Sequence, residues 1–325
     1  MGTTPTAHPL LDAAGRRTTD IGLGCMGMSW GYAESQRDDR RSTQVIHAAL
    51  DAGVRLIDTA DVYGDGHNER LVGAALHGRG EDTVLATKGG LVVDDLARRD
   101  MHRDGSPTHL RSAVEASLTR LGVEAIDLYY LHRIDTAVPL EDSWGELSLL
   151  VAEGKLRALG LSEVTAAEAG RAHAVHPVAA VQSELSLWTR DPLDPHTGTL
   201  RWCADHGAAF VPYAPLGRGF LTGAYTPDSY EQGDFRATSP RFAGLAHEAN
   251  LRIVEATRQV AGRNGATPAQ VALAWTLAQG PHVIPVPGTK NPGYLKENLE
   301  SADLALDSDD LALLDAVPAA VGSRY

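Results

Sequence analysis

Short runs of consecutive apolar residues alternate along the chain with longer stretches in which apolar residues recur every three or four positions. The short runs predict strands at Asp20–Leu23, Arg55–Asp58, Val84–Thr87, Asp127–Leu131, Ala158–Leu161, Ala179–Gln182, Ala209–Pro212 and His282–Pro285. The longer stretches predict helices at Arg40–Asp51, Asn68–Leu76, Thr108–Leu121, Leu140–Glu153, Ala166–His173, Leu200–His206, Leu251–Arg263, Pro268–Ala278 and Pro292–Glu300. Two helix starts are marked by a capping hydroxyl followed by proline: Ser106-Pro107 and Thr267-Pro268. Proline suits the first helical position because that N–H has no partner inside the helix.

The predicted strands are short and continuously apolar, as parallel strands covered on both faces are. Eight of them, nearly all separated by a helix, fit a (β/α)8 TIM barrel, with a doubly wound open sheet as the alternative. No composition break divides the chain, so residues 1–325 are expected to form a single domain. One irregular stretch, Thr222 to Leu245, is too long for a passive connector and predicts a loop over the active site or cofactor. In a barrel, chemistry sits where the strands end at their C-terminal side. Those ends are Asp58, Lys88, His132, Ser162, Gln182 and Tyr213, each polar and each directly after an apolar run.

Charge and composition narrow the partners. A net charge of −13 argues against nucleic acid and against an anionic membrane surface. No apolar run approaches the roughly 20 residues that span a bilayer. The first residues lack the basic and apolar regions of a secretory signal. Cys25 and Cys203 match neither a disulfide framework nor a CxxC motif, and a reduced cytoplasmic protein is expected. No metal site is expected either: the histidines lack metal-binding spacing, and Asp61 to Gly66 resembles a calcium loop without its later oxygen ligands.

The GxGxxG match at Gly22, Gly24 and Gly27 is a weak dinucleotide fingerprint. The following "MSWGYAES" does not open a helix, as that motif requires. These glycines are read instead as letting the backbone of the first loop approach a ligand closely.

Seven segments occur in order: "LIDTADVYGDGHNERLVGAAL", "VLATKGG", "DLYYLHRID", "LGLSEV", "VQSELS", "VPYAPLGRGFLTG" and "VIPVPGTKNPGYLKENL". From about Ile21 to Leu314 the chain resembles the aldo-keto reductases, in particular the long-loop bacterial and plant branch. That resemblance implies a (β/α)8 barrel and NADPH-dependent reduction of a small-molecule carbonyl substrate. It implies that Asp58, Tyr63, Lys88 and His132 are catalytic. A hydride must reach carbon and a proton must reach oxygen; the dinucleotide supplies the first. Tyr63 would supply the second, with Lys88 lowering its pKa, Asp58 holding Lys88 and His132 orienting the carbonyl. Read singly, each residue has a structural explanation: an ion pair, a surface tyrosine, a core histidine.

The same resemblance places Ser162 and Gln182 at the nicotinamide carboxamide and Tyr213 on the nicotinamide ring. It places Leu216, Gly217, Arg218 and Gly219 along the pyrophosphate. Gly288, Thr289 and Lys290 fall at the adenosine 2′-phosphate, and Glu297 and Asn298 at the adenine. Two positions depart from the family pattern. Glu163 stands where asparagine is frequent; a carboxylate cannot donate to the amide oxygen, so it holds the carboxamide differently or points elsewhere. Tyr294 stands where an arginine commonly grips the 2′-phosphate, leaving Lys290, with Arg241 as a further candidate, for NADP(H) over NAD(H).

Met28, Trp30, Trp188 and Phe220 either wall an apolar substrate site or pack locally. Arg133 either binds an anionic substrate or pairs with a loop carboxylate. A second functional reading is a non-catalytic NADPH-binding subunit on the same fold, like the potassium-channel β subunits.

Overall fold

The computed structural model describes residues 20–226 and 229–324. Seven parallel strands lie in the order β1 (Leu23–Gly24), β2 (Leu56–Asp58), β3 (Val84–Gly89), β6 (Ile126–Leu131), β7 (Leu156–Ser162), β8 (Ala180–Glu184) and β9 (Ala209–Tyr213). Between β3 and β6 the chain makes a separate antiparallel hairpin, β4 (Leu91–Asp95) with β5 (Asp100–Arg103). Helices connect the parallel strands and cover them.

Residues 282–288 take the eighth position and close the ring. Ile284 and Val286 donate their N–H to the carbonyls of Phe210 and Pro212, at 2.9 Å each. On the other side Gly22 and Gly24 donate to the carbonyls of Pro285 and Pro287, at 2.9 and 3.2 Å. Proline has no N–H to return. The junction with β1 therefore keeps only half of a parallel ladder, and isolated bridges stand where an uninterrupted strand was predicted. The architecture is the expected (β/α)8 barrel.

This closure reassigns the glycines of the first loop. A Cβ on Gly24 would lie 2.7 Å from the Val286 carbonyl oxygen, and one on Gly22 would lie 2.9 Å from the Leu56 carbonyl oxygen. Both are needed for strands to approach each other, not a ligand.

The pleat sorts the strand residues into two sets. Leu56, Val84, Ala86, Leu128, Tyr130, Ala158, Ala180, Ala209, Val211, Ile284 and Val286 pack together inside the barrel. Their neighbours Ile57, Leu85, Tyr129, Leu131, Leu159, Leu161, Val181, Phe210 and Val283 face the surrounding helices. The Tyr130 ring fills the interior because position 160 is glycine: a Cβ there would sit 2.4 Å from that ring.

The capped helices form as predicted. Pro107–Leu121 starts with the Ser106 hydroxyl accepting from His109 N–H, and Pro268–Leu277 starts with a reciprocal Thr267–Gln270 capping box. Helix Gly244–Asn264 begins nearly two turns before the predicted Leu251, taking up the end of the long loop. Among its described residues the rest of that loop includes the short turns Phe235–Thr238 and Pro240–Phe242. The hairpin was not predicted, because "LVVDD" shows no clean alternation. Its residues Leu91, Val93 and Met101 pack on Ala60, Val62 and Tyr63, so it backs the loop that carries Tyr63.

Candidate active site

Period-two geometry brings the polar strand ends together. Asp58 follows Leu56 by two residues, Lys88 follows Ala86, His132 follows Tyr130, Gln182 follows Ala180 and Tyr213 follows Val211. Each apolar residue points inward, so each polar one does too, one pleat nearer the strand's C-terminal end. Ser162, two residues after Gly160, joins them.

The Lys88 ammonium is the hub. Its Nζ lies 2.7 Å from Asp58 Oδ2, 2.8 Å from the Thr59 carbonyl and 3.4 Å from the Tyr63 hydroxyl. The other Asp58 oxygen accepts from Gln182 Nε2 at 2.8 Å. Lys88 is only 1 % exposed. Burial pulls its pKa down, but the Asp58 carboxylate and Tyr63 outweigh that, and Lys88 remains an ammonium above its ordinary range. Burial pushes the Tyr63 phenol up; the Lys88 ammonium opposes this without reversing it. The phenol is therefore kept protonated while resting against a cation. The expected depression by Lys88 is present, but desolvation is the larger effect.

Tyr63 reaches this place through a braced turn. Thr59 and Asp61 donate their N–H to the carbonyls of Ala86 and Lys88, extending the ladder past β2. Gly64 and Gly66 take positive φ of 63° and 76°. Asn68, fully buried, donates to the Cys25 carbonyl and Ser29 hydroxyl and accepts from the Thr59 hydroxyl. Buried Glu69 accepts from Thr87 Oγ1 and Arg120 Nε, each at 2.6 Å. The predicted helix start at Asn68 and Glu69 hid both roles, since either residue is ordinary in a first helical turn.

The His132 ring meets Tyr63 edge-on, with centroids 6.1 Å apart. Burial, then Arg133 and Lys88, hold its pKa well below the ordinary imidazole range, so it is neutral. The Arg133 guanidinium donates to the Ser162 hydroxyl at 3.0 Å and to the His132 carbonyl at 2.6 Å. Trp30 stacks on Tyr63, with ring centroids also 6.1 Å apart. Met28 is core, and Trp188 and Phe220 pack on each other at 4.1 Å, with Phe242 beside both.

Leu216 to Gly219 form a tight turn with Gly217, Arg218 and Gly219 all at positive φ. A Cβ on Gly217 would lie 2.5 Å from the Trp188 ring. Arg218 pairs with Glu184 at 3.3 Å and reaches the Tyr32 hydroxyl. Gly288 bridges Gly24 at the barrel closure, and Thr289 accepts from Asn291 N–H. Lys290 Nζ lies 3.5 Å from the Ala33 carbonyl, half-buried. Burial and then Arg37, Arg41 and Arg236 lower its pKa. Glu231 acts the other way and Arg236 is itself paired with Asp234 at 2.7 Å, so the positive charge that suits a phosphate group lies with Lys290, Arg37 and Arg41. Arg241 lies elsewhere, on Thr189 Oγ1 and the Gly322 carbonyl. Glu297 accepts from the Thr267 hydroxyl at 2.6 Å, and Asn298 is buried beside it. Glu163 turns away from Ser162: it accepts from Glu184 N–H and pairs with Arg324, both at 2.8 Å.

Residues 20–319 match the model of the aldo/keto reductase family. A probable aldo-keto reductase from Glycine max is 41 % identical over 319 residues, which is 97 % of this chain and 90 % of that protein. The structure of a glycerol dehydrogenase from Gluconobacter oxydans superposes with a TM-score of 0.82 at 34 % identity, covering 92 % of this chain and 90 % of that one. An aldo/keto reductase from Klebsiella pneumoniae in complex with NADP and acetate superposes with a TM-score of 0.68 at 25 % identity, over 92 % of this chain and 90 % of that one. On this match of sequence, barrel and strand-end chemistry, the chain belongs to the aldo/keto reductase family.

Proposed function

We propose that the protein reduces aldehydes or ketones to alcohols with NADPH, using Tyr63 as the proton donor. One observation carries this reading: the Lys88 ammonium lies within reach of both Asp58 and the Tyr63 hydroxyl at the open end of the barrel. NADPH held at the barrel mouth would supply the hydride for the carbonyl carbon. Tyr63 gives its proton to the carbonyl oxygen as negative charge builds there. Lys88 stabilises the phenolate left behind, and Asp58, braced by Gln182, keeps Lys88 in place. Neutral His132 donates a hydrogen bond that orients the carbonyl without competing as an acid. Trp30, stacked on the Tyr63 ring, would help to shield this chemistry from water.

The residues suit that dinucleotide. Ser162, Gln182 and Tyr213 ring the barrel mouth where a nicotinamide would rest, and the glycine-rich turn at 216–219 offers close backbone approach. The cations around Lys290 would take the 2′-phosphate, with Arg37 and Arg41 standing in for the arginine missing at Tyr294. NADPH absorbance, followed with a panel of aldehydes, ketones, sugars and pyridoxal, tests the reading. Turnover with at least one carbonyl and a preference for NADPH over NADH is expected. Tight NADPH binding with no oxidation by any carbonyl would support the non-catalytic subunit instead.

A further inference from the structure

Residues 316–324 are strapped to the helix Gly244–Asn264 and the turn before it. Arg252 donates to the Ala319 carbonyl, Asn250 exchanges two hydrogen bonds with Val321, and Arg241 donates to the Gly322 carbonyl. This delivers Arg324 into a cluster of three carboxylates. Its Nη2 lies 2.8 Å from Glu163, Nη1 3.1 Å from Asp191 and Nε 3.4 Å from Glu184. Nη2 also donates to the Tyr213 hydroxyl at 3.2 Å. Arg324 is 17 % exposed, Glu163 19 % and Glu184 5 %, so these three charges meet largely out of water, while Asp191, at 58 %, stays exposed.

Both Glu163 and Tyr213 border the place assigned to the nicotinamide. Glu163 directly follows Ser162, and Tyr213 ends β9. Glu163 sits at a left-handed φ of 55°, a strained conformation for a residue with a side chain, and both of its carboxylate oxygens are tied. The three nitrogens of Arg324 each face a carboxylate, so it acts as a counter-charge and not as a receptor for a cofactor phosphate. We propose that Arg324 is a positioning residue of the cofactor site: paired with Glu163 and Tyr213, it holds the Glu163 carboxylate off the nicotinamide subsite and cancels its charge there.

The proposal rests on the NADPH reading above and has its own consequence. The nicotinamide ring is cationic when oxidised and neutral when reduced. An uncompensated carboxylate beside it favours the oxidised dinucleotide. The test is the ratio of dissociation constants for NADP+ and NADPH, measured on the whole protein by calorimetry and by NADPH fluorescence. Arg324→Leu is expected to shift that ratio toward NADP+ by about tenfold, the effect of one unscreened charge at moderate distance. Arg324→Lys keeps the charge and shifts it little. Adding Glu163→Gln to Arg324→Leu returns the ratio to near the wild-type value. An unchanged ratio in Arg324→Leu overturns the proposal. So does an equal loss of affinity for both dinucleotides that Glu163→Gln does not restore, which would mark a phosphate contact or a purely structural clasp. Failure of the NADPH reading shows separately, as wild-type protein that binds neither dinucleotide.

Discussion

The hydroxyl of Tyr63 lies 3.4 Å from the ammonium of Lys88, 25 residues on in the chain, and that ammonium is anchored 2.7 Å from Asp58. Neither backbone element alone makes this contact. The β2–β3 register sets Asp58 opposite Ala86, one pleat short of Lys88, and the braced turn after β2 brings the phenol over the top. Burial keeps this phenol protonated at rest, and the ammonium beside it is placed to stabilise the phenolate that loss of the proton would leave.

Removing only that hydroxyl is the direct test. Tyr63→Phe should leave NADPH affinity unchanged, because the ring still packs against Trp30 and His132. It should lower kcat by roughly 10²–10⁴, the usual contribution of a positioned general acid. Turnover near the wild-type rate would remove Tyr63 from the proton path.

Lys88→Met should cost both activity and stability. The Asp58 carboxylate would stay buried with only Gln182 as partner, and orphaning one member of a buried ion pair costs about 3–5 kcal/mol. Denaturant unfolding measures the loss. Lys88→Met combined with Asp58→Asn should recover much of the stability and none of the activity. A single variant as stable as wild type would mean that water reaches the pair.

Lys290→Ala should raise the Michaelis constant for NADPH by roughly tenfold, as loss of one charge-assisted hydrogen bond does, and leave that for NADH nearly unchanged. Steady-state kinetics with each dinucleotide gives the comparison. Equal effects on both would place the 2′-phosphate elsewhere.

Stability should fall as the solution is acidified below about pH 6.5, the ordinary imidazole value. His132 is held neutral in the folded protein to well below that range, whereas the unfolded chain takes up its proton there. The unfolded state therefore binds more protons, and acid favours it. His132→Gln should flatten the slope of unfolding free energy against pH between about 6.5 and 5 by part of one proton. An identical slope in the variant would mean that His132 protonates as readily folded as unfolded.

Gly24→Ala should destabilise the barrel by about 1–3 kcal/mol, because the added methyl group meets a backbone carbonyl that cannot move without opening the closure. Gly27→Ala, whose Cβ would rest 3.5 Å from Tyr32, should be nearly neutral. If Gly24 instead made room for a ligand, its substitution would change dinucleotide affinity with little change in unfolding.

Alternation of short apolar runs with helical stretches narrowed the fold to a barrel or a doubly wound sheet, and given a barrel, the polar residue after each run predicted which side chains face its mouth. Both are local properties: a strand's pleat is fixed at two residues, so the facing of Lys88 follows from that of Ala86. Asp58, Lys88 and His132 were legible as strand ends for that reason, whereas Tyr63 lies on a loop and joined them only through the resemblance carried by the ordered motifs. Tertiary structure decided what depends on residues distant in the chain. Pro285 and Pro287 remove the N–H groups of the eighth strand, and the matching need for glycine at positions 22 and 24 appears only when the ring closes. Burial, a property of the whole packed molecule, sets the Tyr63 phenol above its ordinary range against the pull of Lys88. Arg37, Arg41 and Arg324 lie far in sequence from Lys290 and Glu163, beside which folding places them. Charge acts through space, and no periodicity along the chain records which distant segments folding will bring together.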